Sequence, residues 1–239
     1  MCFATTSDPR AVLGHVSGGR VLDVATGDGQ FIRFLIDGLR DHAEVIGIDS
    51  DPIEGTLFVE RFGDHPGITF ELMDVLDMRF PDASFDTVAI AHSLCRFHDP
   101  RSVLARLTRL LRSGGHLVVA GAYRDHQDAP AAMYVELHDW WAAVDDASGK
   151  VHREDPRRDE LVALTAAIGL SDLRWFDVGD PDQDPMDPVV ITNIDATIDR
   201  AIRAVDGRPA LQAHGEMLRA RMHRVGFRMP TSLVAVGRW

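Results

Sequence analysis

The sequence predicts an α/β fold in which a mainly parallel sheet carries helices on both faces. Short apolar runs of strand length recur along the chain, and glycines bound several of them, as at residues 20–25. Segments with apolar residues at helical spacing lie between these runs. The 239 residues are 45% hydrophobic and 26% charged, which is typical of a globular domain. Strands that alternate with helices are joined by right-handed crossovers and therefore lie parallel.

Seven segments have the strand pattern. They lie at residues 20–25, 44–49, 68–73, 85–91, 116–121, 173–178 and 231–236. Helices are predicted between them, at residues 31–39, from Asp51-Pro52 onward, at 99–111, from 129 to about 144, at 157–168, and around 196–205 and 210–224. Two of these helices open on Asp-Pro, where proline tolerates its missing N–H. Residues 179–188, which are rich in Asp and Pro, are predicted to form a loop.

We expect residues 1–239 to form one domain, because the last predicted strand is needed to complete the sheet. Helical insertions at about 125–156 and 179–230 follow the fifth and sixth strands. The carboxyl ends of parallel strands lie at the edge where open α/β sheets bind ligands. Insertions at that edge would roof a pocket, which favours a closed site for a small molecule.

The charge balance limits the classes of partner. The chain has 25 Lys and Arg against 37 Asp and Glu, a formal charge of −12. This excess of acidic residues disfavours binding to nucleic acid and to anionic membrane surfaces.

No apolar run reaches the roughly 18 to 20 residues of a membrane span, and the first ten residues lack a signal-peptide pattern. Cys2 and Cys95 alone make no disulfide framework, so we expect a reducing cytoplasm.

A glycine-containing turn follows the first predicted strand. Residues 23–29, with the sequence DVATGDG, end that strand and open the next helix. Glycines permit a tight turn and a close approach of the backbone to a ligand, and the helix N-terminus offers N–H donors. A dinucleotide-binding fingerprint would have a third glycine where Ile32 stands. An ordinary strand-to-helix turn is the alternative interpretation.

Carboxylates follow the next two predicted strands. Asp49 ends the second strand, where a carboxylate can accept the hydroxyls of a ribose, and Asp51 is assigned as the cap of the following helix. Asp74 and Val75 follow the third strand, where they could contact an adenine amino group and the face of its ring. A loop aspartate bonded to its own backbone is the alternative for Asp74.

Taken together, these segments resemble the class I S-adenosylmethionine-dependent methyltransferases, and within them the subgroup of small-molecule and quinone methyltransferases. The resemblance covers roughly residues 15–122 and the last strand. It rests on the joint spacing of VLDVATGDG, GIDSD, MDVLDMRFPDASFDTVAIAHSL, HDPRSVLARLTRLLRSGGHLVVA and TSLVAVGRW.

The resemblance implies a Rossmann-like, seven-stranded sheet with an antiparallel last strand. It also implies S-adenosylmethionine as the cofactor and methyl transfer to an O, N or C atom of a small organic molecule, of the kind met in biosynthesis and secondary metabolism. A homodimer is left open. The implied cofactor-binding residues are Asp23, Ala25, Thr26, Gly27, Gly29, Asp49, Ser50, Asp74, Val75, Ala91 and His92.

The chain departs from the family pattern at three places. Ala25 stands where the family often has its first glycine, which is tolerable if the backbone there keeps a negative φ. Residues 94–100 replace the paired histidines often seen after the fourth strand, so no catalytic role is transferred from them. The insertion between the last two strands replaces the hairpin of many relatives.

Three residues are candidates for contact with the acceptor. His92 ends the fourth strand and could act as a general base, or could be a hydrogen-bonded structural histidine. Tyr123 and His126 follow the fifth strand at the same edge. In the first insertion we expect Trp140 or Trp141 to be buried and His138 to lie on the wet face of its helix. The alternative is an aromatic lid that carries His138 over the acceptor.

No metal site is predicted. The groups formed by Glu136, His138 and Asp139, and by His126 with its neighbouring aspartates, lack the spacing of known zinc motifs. Cys95 is predicted to be a buried or partly buried residue rather than a nucleophile.

Other functions remain in competition with methyl transfer. One is a non-methylating reaction or a regulatory role for a methyltransferase-fold protein that binds S-adenosylmethionine. Another is an NAD-dependent oxidoreductase, which the missing third glycine at Ile32 disfavours.

Overall fold

The computed structural model describes residues 5–125 and 127–239, and a single sheet lies at its centre. Its eight strands are β1 (Thr5–Thr6), β2 (Arg20–Val24), β3 (Glu44–Asp49), β4 (Ile68–Leu72), β5 (Phe85–Ala91), β6 (Leu111–Ala122), β7 (Ser171–Val178) and β8 (Ser232–Arg238). The helices are α1 (Pro9–Leu13), α2 (Gln30–Gly38), α3 (Pro52–Phe62), α4 (Pro100–Leu110), α5 (Ala129–Ala147), α6 (Arg158–Ala166), α7 (Pro188–Ala204) and α8 (Pro209–Val225).

The strand order is β1-β7-β8-β6-β5-β2-β3-β4, and β8 runs antiparallel to both of its neighbours while all other pairs are parallel. The predicted fold class is therefore confirmed, including the antiparallel last strand. The expected count of seven strands was one too low. The additional strand is β1, which pairs with the edge strand β7 over two residues only, too few to produce a periodic signal.

Aspartates set the starts of several helices. Asp51, Asp99 and Asp187 each precede a proline at the first helical position, and each carboxylate accepts a backbone N–H of the first turn. The proline needs no hydrogen-bond partner there, and the carboxylate satisfies one of the free donors. Because α7 begins at Pro188, the prediction that this helix starts at residue 196 was wrong. Ile191 and Ile198 are buried along it, but polar residues between them obscure the period.

The core lies on both faces of the sheet, because successive side chains of a strand point in opposite directions. Leu22, Ile46 and Val88 belong to the apolar cluster on one face. Val21 and Val45, their neighbours in the sequence, belong to the cluster on the other. Burial on both faces explains why these strands appear in the sequence as continuous apolar runs.

The two predicted insertions come together as one helical layer with a separate apolar cluster. Helix α5 comes from the first insertion, and α7 and α8 come from the second. Their shared buried residues include Met133, Leu137, Trp140, Ile198, Leu218, Met222 and Phe227. The indole N–H of Trp140 donates to the carbonyl of Leu211 at 2.9 Å, which confirms the buried tryptophan. We call these three helices the roof. Among the described residues, no helix is both long and apolar enough to cross a bilayer.

Gly29→Ala should lower the free energy of unfolding by about 2 to 4 kcal/mol, because it adds overpacking to an unfavourable backbone conformation. Gly29 has φ +83°, and a Cβ there would lie 2.6 Å from Phe62 and 3.0 Å from Phe58. Gly149→Ala is the matched control, since Gly149 has φ +76° with no atom within 4 Å of a Cβ. Urea unfolding should show a loss of only about 1 kcal/mol for the control. Equal losses would contradict the packing role of Gly29.

Candidate active site

Four of the predicted segments meet at one edge of the sheet. The turn at residues 23–29 follows β2, residues 49–51 follow β3, residues 74–75 follow β4, and His92 follows β5. Because β2 pairs in parallel with both β3 and β5, the carboxyl ends of these strands lie side by side. The strand order reverses between β2 and β5, which is the place where open α/β sheets bind ligands.

Hydrogen bonds hold the turn after β2 against β3. The backbone N–H of Gly27 donates to the Asp49 carboxylate at 2.9 Å, and the N–H of Thr26 donates to the Ile48 carbonyl at 2.9 Å. Gly27 has φ +55°, and a Cβ there would contact only Glu54 Oε2, at 3.6 Å. The turn therefore keeps an open side at Gly27.

Two non-glycine residues at this edge adopt the left-handed backbone conformation. Ala25 has φ +52° and His92 has φ +51°. The condition of a negative φ, under which alanine would be tolerable at position 25, is therefore not met. The tight turn after β2 forces this conformation, which costs about 1 to 2 kcal/mol in an L-residue. Strain of this kind is common at ligand sites.

Asp23 carries a buried carboxylate with one unpartnered oxygen. Its side chain is 1% exposed, and one oxygen accepts the Thr26 hydroxyl at 2.6 Å. The other oxygen has no hydrogen-bond partner among the described residues. Burial, reinforced by the neighbouring Asp49, raises the pKa of Asp23 to about 7 despite the opposing hydrogen bond from Thr26. A buried acceptor without a partner costs free energy, so this position favours a cationic or hydrogen-bond-donating ligand.

Asp49 lies in the middle of the site. Its two oxygens accept the N–H groups of Gly27 and Asp51, at 2.9 and 3.0 Å. A carboxylate offers about four lone-pair positions, so two remain for a ligand. Asp51 caps α3 as expected, by accepting the N–H of Ile53 at 2.8 Å. Ser50 is exposed between them.

Asp74 and Val75 differ in their surroundings. Asp74 is exposed, and one of its oxygens accepts the N–H of Leu76 at 2.8 Å, which is the local backbone bond considered as the alternative. Its second oxygen remains available. The Val75 side chain is 7% exposed and packs into the main apolar cluster. The adenine contact therefore stays a prediction for both residues.

A cavity of about 540 Å³ extends from this edge to the roof. Asp51 and His92 lie at its sheet side, and α5 and α7 contribute most of the opposite wall. A volume of this order accommodates a small organic molecule. The complete lining is Asp51, His92, Cys95, Arg96, Tyr134, His138, Trp141, Val144, Asp145, Lys150, His152, Thr197, Arg200, Ala201 and Ala204.

His92 presents its imidazole to this cavity. The side chain is exposed on the cavity side. Protein nevertheless surrounds the ring closely enough that desolvation lowers the pKa of His92 to about 4. The imidazole is therefore neutral at pH 7 and has a nitrogen able to accept a proton.

Three further side chains converge in the wall of the cavity. His138 Nε2 lies 3.0 Å from His152 Nε2 and 3.7 Å from Cys95 Sγ. His152 Nδ1 lies 2.7 Å from the Asp145 carboxylate. His138 and His152 are buried, and Cys95 is partly buried. We call Cys95, His138 and His152 the Cys-His-His cluster.

Comparison with known proteins finds a family model that matches part of this chain. Residues 22–119 match the methyltransferase domain family. The matched segment includes all four of the segments that meet at the carboxyl edge of the sheet. The family match covers this segment of the chain and not the remainder. The resemblance recognised in the sequence is thereby confirmed.

Two relatives illustrate the range of the family. The chain is 34% identical over 131 residues to O-methyltransferase cnsE of Penicillium expansum, a match that covers 52% of this chain and 47% of the relative. A demethylmenaquinone methyltransferase of Deinococcus radiodurans is 40% identical over 108 residues, 45% of this chain and 44% of the relative. The matched regions thus span less than half of either relative.

Solved structures extend the likeness over nearly the whole chain. The [4+2]-cyclase SpnF superposes with a TM-score of 0.61 at 18% identity and covers 96% of this chain and 77% of its own. At this identity the likeness shows the fold alone.

The structure places the three predicted catalytic candidates in different surroundings. His92 faces the cavity. Tyr123 instead packs against Leu161 and Leu233 and is 6% exposed. Burial and the nearby Asp177 raise the pKa of Tyr123 to about 12, so its phenol stays protonated. His126 lies outside the described residues.

The prediction for His138 was wrong. This histidine lies at 6% exposure beneath the roof rather than on a wet helix face. Burial, followed by the neighbouring His152, lowers the pKa of His138 to about 3. Tyr134 stacks on His138 with 5.8 Å between ring centroids. The i, i+4, i+7 spacing of Tyr134, His138 and Trp141 would have indicated a common helix face, whereas nothing in the sequence marks His152.

Cys95 agrees with its prediction as a partly buried thiol. Desolvation, with a contribution from the nearby Asp155, raises the pKa of Cys95 to about 11. The thiol is therefore protonated at neutral pH and is a poor nucleophile.

Asp23→Asn should raise the free energy of unfolding at pH 8 by about 1 to 3 kcal/mol and have little effect at pH 4. The folded state holds the Asp23 proton up to about pH 7, against a reference value of 3.8. Wild-type stability therefore falls as pH rises between these values, and the penalty is complete above pH 7. Urea unfolding at both pH values measures the difference. The exposed Asp64→Asn is the control, and a destabilised Asp23→Asn at pH 8 would contradict the argument.

Proposed function

We propose that this chain is an S-adenosylmethionine-dependent methyltransferase, of class EC 2.1.1, that methylates an oxygen, nitrogen or carbon atom of a small organic molecule. The observation that carries the proposal is the position of the cavity. It begins at the edge where the four segments of the methyltransferase domain meet and continues beneath the roof. A cofactor held at that edge would have its reactive end next to a molecule held in the cavity.

The residues at the sheet edge suit the chemical groups of the cofactor. The open side of Gly27 leaves room for close approach, and Asp49 retains acceptor positions for ribose hydroxyls. The unpartnered oxygen of Asp23 would accept a hydrogen bond from the amino acid part. The cofactor supplies an activated methyl group, and the ammonium and sulfonium charges of this cofactor match the carboxylates of Asp23 and Asp49.

The remaining residues orient the acceptor and control protons. Helices α5 and α7 form the wall of the cavity opposite the sheet edge. Alignment of the nucleophile supplies much of the catalytic effect in a displacement reaction. His92 is neutral and could take the proton that a hydroxyl or amine acceptor loses. Tyr123 is not among the residues that line this cavity.

The other candidate functions have less support. The relatives carry names of O-methyltransferases and quinone methyltransferases, which does not favour an oxidoreductase.

The wider proposal includes a single domain, a cytoplasmic location and a small-molecule partner rather than nucleic acid. The last of these rests on the formal charge of −12. Measurement of the molecular mass in solution tests whether the chain forms a homodimer.

Asp49→Ala should weaken the binding of S-adenosylhomocysteine about tenfold or more, because it removes charge-assisted hydrogen bonds to the ribose. Isothermal titration calorimetry on the full chain measures this. The exposed Asp64→Ala serves as a control of equal charge change. Unchanged affinity in Asp49→Ala would refute the ribose role. Tight binding of NAD without binding of S-adenosylmethionine would overturn the proposed function.

His92→Asn should lower kcat about 100-fold or more for an acceptor that loses a proton. Asparagine tolerates the left-handed backbone of this position better than alanine, so the variant isolates the loss of the imidazole. The release of S-adenosylhomocysteine in the presence of phenols, hydroquinones and amines gives the rate. The exposed His42→Asn is the matched control. Normal turnover in His92→Asn would exclude His92 as the base.

A further inference from the structure

We propose that Cys95, His138 and His152 bind a divalent transition-metal ion, with zinc as the best match, in the wall of the acceptor cavity. The three side chains come from separate parts of the chain. Cys95 lies in the short turn after β5, His138 lies in α5, and His152 lies in the loop that follows α5. No spacing motif connects them, so only the folded chain reveals the site.

The distances match those of a tetrahedral zinc site. One donor atom from each of the three residues lies within 4.8 Å of the other two. Zinc–nitrogen bonds of about 2.0 to 2.1 Å and a zinc–sulfur bond of about 2.3 Å place tetrahedral ligand atoms roughly 3.3 to 3.6 Å apart. The separations of 3.0 Å between the two nitrogens and 3.7 Å between nitrogen and sulfur lie close to this range.

The groups around the cluster orient the ligands. Asp145 lies 2.7 Å from Nδ1 of His152, so the proton of that ring is directed to the carboxylate and the Nε2 lone pair faces the cluster. A carboxylate behind a ligating histidine is the usual arrangement in metal sites. Arg96 also pairs with the Asp145 carboxylate, at 2.6 Å, and fixes it in place.

A direct hydrogen bond between the two imidazoles is the competing explanation for their 3.0 Å separation. That hydrogen bond gives no role to the neighbouring Asp155. Asp155 is 8% exposed, lies 3.6 Å from His138 Nε2, and has one oxygen with no partner among the described residues. A buried carboxylate is costly unless it is paired or coordinates a metal. Asp155 is therefore positioned as a fourth ligand or as an acceptor for a metal-bound water.

The ligand types and the location indicate what the ion does. A thiolate with two imidazoles prefers zinc and similar metals over magnesium or calcium. All three ligands line the cavity that contains His92. Three protein ligands leave a coordination position for an exchangeable oxygen. On the proposed function, on which this part of the inference rests, that position holds an ionisable acceptor oxygen such as that of a phenol or hydroquinone.

Metal binding can be tested without any methyl acceptor. Binding converts the Cys95 thiol to a thiolate and releases its proton to solvent. We expect chelator-treated full-length protein to bind one Co²⁺ per chain, with the visible bands of a tetrahedral ion and a thiolate charge-transfer band. Cys95→Ser should abolish the charge-transfer band. His152→Asn should weaken Zn²⁺ binding about 100-fold or more. His214→Asn, on the exposed face of α8, should bind as the wild type does.

Two results would overturn the site: no cobalt spectrum, or a charge-transfer band that persists in Cys95→Ser. Circular dichroism of each variant separates loss of ligand from loss of fold. Calorimetry with S-adenosylhomocysteine on the metal-free protein distinguishes this proposal from the proposed function. Cofactor binding without cobalt binding refutes the metal site alone. Cobalt binding without cofactor binding refutes the proposed function and leaves the metal site standing.

Discussion

The parallel pairing of β2 with β3 on one side and with β5 on the other determines where every polar group of the site lies. Each of these strands ends at the same edge. After each strand the chain passes through a turn before the next helix begins. The hydrogen bond from Gly27 to Asp49 then fixes the separation of two such turns. Without the continuous burial of β2, neither the turn nor the carboxylates would have a defined position.

The site holds several groups in states that oppose folding. Asp23 and Asp155 are buried acids, and burial raises the pKa of each to about 7. Ala25 and His92 have left-handed backbones. Since the sheet core on both faces is extensive, the fold tolerates these costs. Their concentration at one edge is what is expected where a chain is shaped for a ligand rather than for stability.

The sequence predicted the sheet and the edge where the polar loops meet, because both depend on local signals. Apolar runs mark buried strands, and a turn such as residues 23–29 can be placed from its neighbours. The wall of the cavity was harder to predict. His138 belongs to a helix whose opposite sides both meet protein. Because histidine is polar, the sequence predicted that His138 faces solvent, whereas the structure places it in a buried pocket. His152 lies in a loop, and no periodicity constrains a loop residue. Cys95 approaches these histidines only through tertiary packing.

Gly215 helps to set the shape of the cavity although it is not among the lining residues. A Cβ at this position in α8 would lie 2.4 Å from the Trp140 ring of α5, so the two helices can pack this closely only because residue 215 has no side chain. Helix α5 also carries His138 and Trp141 into the cavity. A larger residue at 215 would tilt α5 and reshape the cavity from behind. On the proposed function, a change at residue 215, which lies outside the cavity lining, would therefore alter which acceptor fits.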